Sequence, residues 1–174
     1  MNRAVAEWSD AEIRTLIGRY QERGLTSGGP YTLAELQLEL ARRVRAPHEP
    51  KEFAACILRL AAASSNRRVT YGALFEHLNG RPPNGQGDIR TITASLERLG
   101  AYCHDRGLPI ISTLVVNKAT GEMTPDAVRN VWNYLRQIDP TMSDDPVAFV
   151  AEQAAQAERL SAESLEAASS PLAA

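Results

Sequence analysis

The residues best placed for chemistry are arginines and hydroxyl side chains at helical spacing. Arg90, Thr91, Thr93 and Arg98 lie off the apolar stripe Ile89, Ile92, Leu96 and Leu99 of one predicted helix. From there, guanidinium and hydroxyl groups can meet phosphate oxygens or base edges. Arg67, Arg68 and Tyr71 cluster at the start of the preceding helix, where side chains and first-turn amides can both face an anion. Asn117 and Lys118 fall in turn chemistry after an apolar segment, as a wing tip would. Together these nine are candidate contacts for duplex DNA. The competing reading is a solvated helix face followed by a polar hairpin.

Catalytic and metal chemistry find less support. His48 lies in a Pro-rich connector, His77 on a helix and His104 beside Cys103. Three histidines and two cysteines without ligand spacing do not make a zinc site. Cys103 and His104 are adjacent on a helix and diverge by about 100°, so they do not form a thiol–imidazole pair. Cys56 reads as a small core residue. The stretch GRPPNGQG (residues 80–87) has neither the Lys-Ser/Thr ending of a phosphate-binding loop nor a strand before it. No catalytic residue, metal or cofactor is expected, and the chain is not read as an enzyme.

Net charge is −2, but its distribution is uneven. Residues 41–118 carry 12 Lys/Arg against 6 Asp/Glu, a balance of +6, between flanks of −2 and −6. Such asymmetry can hide a polyanion site within a near-neutral total, provided the charges share a face. No apolar run approaches the roughly 20 residues of a membrane span, and the N-terminus lacks a signal-peptide stretch. A membrane partner is not expected, and a cytoplasmic location is. Two cysteines fit a reducing compartment better than a disulfide framework.

The elements that must position these residues are mostly helices. Ser9 with Glu12, and Thr32 with Glu35, have the spacing of capping boxes, with Trp8/Ile13 and Tyr31/Leu36 as hydrophobic staples. They predict helices over 10–23 and 33–44. Pro50 suits the first turn of a third helix over 51–63, and Thr70 caps a fourth. A fifth follows over 88–106, with Gly100 able to break or bend it. Residues 110–116, IISTLVV, read as a short β-branched strand, and 117–121 as a turn. Thr124-Pro125 starts another helix, and a last acidic helix is expected from Asp145-Pro146 to about residue 167, with a frayed tail.

Residues 67–121 resemble the C-terminal winged-helix-like domain of O6-alkylguanine-DNA alkyltransferases and alkyltransferase-like proteins. Val69-Thr70-Tyr71-Gly72-Ala73-Leu74 is similar to that family's V-T-Y-G-x-[IL] helix start, and residues 89–96, IRTITASL, to its A-R-x-V-G-x-A-L recognition helix. The resemblance implies that Arg90 enters the DNA stack and that Tyr71 presses on a target phosphate. It also implies that the reactive cysteine is missing: aligned on Val115-Val116, Ser112 stands in its place, and the family's following His and Arg are Thr113 and Leu114. A serine without an activating base is a poor alkyl acceptor. The recognition-helix glycine is Thr93, and the turn to Gly121 is one residue longer than the family's.

The expected fold is therefore mainly α, a helical bundle around a winged-helix-like module with a short strand or hairpin near 110–121. The chain divides as a helical region (1–64), the winged-helix-like module (65–140) and an acidic C-terminal helix with its tail (141–174). The expected function is a non-catalytic DNA-binding or DNA-sensing accessory protein. The alternative is a protein-interaction module, an inhibitor or adaptor, docking a partner or a second copy through the C-terminal helix.

Overall fold

In the computed structural model, residues 3–139 and 141–168 are described; the tail from residue 169 lies outside the described residues. Both capping boxes form. Ser9 caps α1 (Asp10–Glu22), and Thr32 caps α2 (Leu33–Arg42). In the first box the Ser9 amide donates to Glu12 Oε2 at 2.6 Å, and the Glu12 amide donates back to Ser9 Oγ at 3.3 Å. The Ser9 amide, the Ser9 hydroxyl and Arg3 together pull the Glu12 carboxyl down to about 2.

The two staples meet each other. Trp8 and Tyr31 pack edge to face, 5.8 Å between ring centres, over a small core of Ile13, Tyr20 and Leu36. Tyr20 donates its hydroxyl to the Tyr31 carbonyl at 2.7 Å. A Cβ on Gly29 would stand 2.4 Å from that hydroxyl oxygen, so the loop needs glycine there. Arg43, the C-cap of α2, ties down the N-terminal turn Val5–Glu7: it pairs with Glu39 and Asp10 and donates to the carbonyls of Val5, Ala6 and Trp8.

A larger core is built on α3 (Pro50–Ala63), whose Phe53, Ala54, Cys56, Ile57 and Ala61 are buried. Around it lie α4 (Tyr71–Asn79), α5 (Gln86–Asp105), α6 (Pro125–Ile138), α7 (Pro146–Ala157) and α8 (Ala162–Ala168). Leu74 and Phe75 of α4, Ile92, Leu99 and Cys103 of α5, and Leu165 of α8 share this cluster. α2 bridges the two cores by packing against both α5 and α6. The mainly helical class agrees with the sequence reading. Among the described residues the only sheet is one parallel pair, β1 (Val69–Thr70) with β2 (Val115–Val116), Val69 opposite Val115. The connection from β1 to β2 runs through α4 and α5, the long crossover that parallel pairing needs.

Three local expectations are corrected. Most of the expected strand is helical: Ile111–Leu114 forms a buried 3-10 turn, and only Val115–Val116 pairs. A β-branched run of this length fits a buried core segment as well as a strand, and periodicity alone does not separate them. The partner also ends, because the chain enters α4 immediately after Thr70.

The hairpin is absent as well. The Asn117 amide donates to the Glu122 carbonyl, and the Gly121 amide to that of Asn117. Thr124 then caps α6, leaving no length for a returning strand. Finally, the acidic C-terminal helix is two: α7 ends at Ala157, and Ser161, exchanging hydrogen bonds with Ser164, starts α8. Gly100, in contrast, leaves α5 unbroken across its 20 residues.

Candidate functional site

The helices α4 and α5, joined by residues 80–85, carry most of the predicted contacts. Thr70 caps α4, its hydroxyl accepting from the Ala73 amide at 3.2 Å. Gly80, with φ of 67°, closes the helix in the left-handed region that glycine adopts without steric cost. In the turn that follows, Arg81 pairs with Asp88 at 2.8 Å, and Asp88 also accepts from the Asn84 amide at 2.7 Å. Asp88 thus supplies an internal anion to the α5 N-terminus, where the helix dipole favours negative charge. The side-chain bond from Arg81, then the Asn84 amide, lower its pKa.

The nine candidates separate on the structure. Arg90 is exposed on the first half of α5 and makes no ion pair among the described residues; the same holds for Arg67 and Lys118. Thr91 and Thr93 are exposed, but their hydroxyl protons already go to the Asp88 and Ile89 carbonyls, so they offer acceptors to an outside group. Arg68 and Arg98 are engaged. Arg68 pairs with Glu158 at the end of α7, and Arg98 with Glu49 of the α2–α3 connection at 3.3 Å. Arg68 lines a groove of about 780 Å³ between α6 and α7, away from α5.

Pairing of this kind runs through the basic middle of the chain. Arg42, Arg43, Arg68, Arg81, Arg98 and Arg106 each have an acidic partner, and several partners lie in the acidic flanks. The +6 of residues 41–118 is accordingly much weaker as a field than as a count.

Tyr71, Thr93 and Asn117 do converge. They line a cavity of about 460 Å³ between α5 and α6, and Ser112 lines it too. Ser112 is buried and borders the cavity from its inner side. Tyr71 is half-buried, and burial pushes its phenol pKa up.

Four further polar lining residues escaped the sequence reading: Glu97, Asp126, Asn130 and Tyr134. Tyr134 Oη is buried with no hydrogen-bond partner among the described residues. Burial, and secondarily the charge of Glu97, raise its pKa. Glu97 is exposed as a residue, yet crowding around its carboxyl raises that pKa as well. The Tyr134 ring lies over Gly100, 3.8 Å from where a Cβ would sit. Glu97 and Gly100, three apart on α5, present a carboxylate and a gap on one face, a pairing visible in the sequence. The tyrosine opposite is legible only as a hydroxyl on the apolar side of α6.

Neither cysteine is chemically available. Cys103 is fully buried and its thiol is pushed up to about 12; Cys56 is buried and shifted upward by the same cause. Among the described residues no group of three or more His, Cys, Asp or Glu could hold a metal ion, and no helix is long and apolar enough to cross a membrane. Comparison with protein-family models, curated proteins and solved structures gives no match to this chain.

Proposed function

We propose that the chain is a non-catalytic DNA-binding module that presents the first half of α5 to a duplex. The observation that carries this reading is Arg90: an exposed arginine, free of acidic partners among the described residues, on the second of two helices joined by a short loop. Arg67 and Lys118 add two unpaired cations, and Thr91 adds an acceptor. Recognition through a second helix needs no wing, so the missing hairpin removes one contact and leaves the helix. The resemblance of residues 67–121 to alkyltransferase-like domains points the same way, while buried Ser112 supports a role without group transfer.

Fluorescence anisotropy with a labelled duplex at low salt tests the proposal. Wild type binds, and Arg90→Ala weakens binding by roughly tenfold or more, the range of one good arginine contact. Wild type without affinity, or an Arg90→Ala variant that binds equally well, contradicts the assignment.

A further inference from the structure

The cavity between α5 and α6 has none of the exposed cations in its lining, and its chemistry is of the opposite sign. Its lining contains two carboxylates, Glu97 and Asp126, and no lysine, arginine or histidine. Asp126 pairs with Arg129, which lines the other groove, so Glu97 is the carboxylate left without a cation. The rest of the wall mixes two aromatic rings, Tyr71 and Tyr134, and the apolar Met123, Val131 and Leu96 with uncharged polar side chains such as Asn117 and Asn130. Tyr134 adds a buried hydroxyl with no partner among the described residues.

We infer that this cavity binds a small organic cation, a primary amine or alkylammonium on an apolar body. Each part of the wall supplies one element of that recognition. Tyr71 and Tyr134 border the space and can attract a cation through their ring quadrupoles, and Met123 and the aliphatic residues take the apolar body. Glu97 is crowded and partly desolvated, so it gains a counter-charge when an ammonium arrives. Tyr134 Oη can accept a hydrogen bond from the same nitrogen, giving a buried polar atom the partner it otherwise lacks. A phosphate or carboxylate ligand would meet Glu97 with like charge and find no basic residue in the lining. The volume, about 460 Å³, falls within the range of small-ligand sites. This inference does not rest on DNA binding and survives or fails without it.

The test is isothermal titration of the full chain with three ligands of one shape: phenethylamine, 2-phenylethanol and 3-phenylpropionate. The amine is expected to bind one per chain with Kd below about 1 mM. The alcohol should bind roughly tenfold or more weakly, and the acid least. Glu97→Gln, on the exposed side of α5, should lower amine affinity about tenfold while leaving the alcohol unchanged. An amine that binds no better than the alcohol overturns the proposal, as does an amine without detectable binding. The wild-type comparison decides the matter even where the variant folds poorly. Tight amine binding that Glu97→Gln does not change also overturns it, because the carboxylate is then not the recognising group.

Discussion

Gly100→Ala should make the protein more stable, by an amount that follows from three observations. Gly100 is buried in the interior of α5, which runs unbroken from Gln86 to Asp105. Its φ is not positive, so alanine adopts the same backbone without strain. The atoms nearest an added Cβ are Leu135 Cδ2 and Tyr134 Cε1, each 3.8 Å away, which is ordinary van der Waals contact. Alanine is favoured over glycine in a helix interior by about 0.8–1.0 kcal/mol. Burying one more methyl adds up to about 0.8 kcal/mol. The sum is about 1–2 kcal/mol. At about 2–4 °C per kcal/mol for a chain of this size, Tm should rise by roughly 2–8 °C. Urea denaturation followed by far-UV circular dichroism measures the effect, with the midpoint rising at constant m. An unchanged or lower midpoint would refute the reasoning, showing that α5 needs conformational freedom at Gly100 or that Leu135 and Tyr134 cannot accept the methyl.

Tyr134→Phe removes a buried hydroxyl without a partner and is expected to stabilise the free protein by about 1 kcal/mol; thermal denaturation would register a lower Tm if that oxygen were well satisfied. Cys56 and Cys103 should resist a thiol reagent in the native protein and react at once in denaturant, and rapid native labelling of Cys103 would contradict its burial and its upward shift to about 12. An NMR titration of Glu12 should place its midpoint near 2, and Ser9→Ala should return it toward the ordinary 4.5. Because the folded-state value is depressed, the capping carboxylate contributes fully above about pH 4.5. That contribution fades as pH falls toward 2, so the start of α1 should loosen in that window.

Helix starts were the most legible part of the fold because their chemistry is local. Ser9 and Glu12, Thr32 and Glu35, Thr70, Thr124 and Asp145 each cap where spacing places them. Residues 110–116 misled because strand character depends on a partner, and the partner here is two residues long. Gly100 misled in the other direction: neighbouring turns and the packing of Tyr134 hold a helix that propensity alone weakens.

The candidate site divides in the same way. Arg90 and Thr91 were found because their position off the apolar stripe is a helical property. That Arg68 and Arg98 are neutralised was not legible, since Glu158 and Glu49 lie 90 and 49 residues away in sequence. The α5–α6 cavity likewise depends on two helices from different parts of the chain. Glu97 and Tyr134 become a site only once packed together.

The central claim, that α5 meets duplex DNA through a few unpaired cations, is tested most directly by the salt dependence of binding. If Arg67, Arg90 and Lys118 each neutralise one phosphate, log K against log salt should fall with a slope of about −2.7. Arg90→Ala should reduce that slope by about one. Binding that is absent at low salt, or a slope that Arg90→Ala leaves unchanged, would contradict the assignment of α5 as the DNA-facing helix.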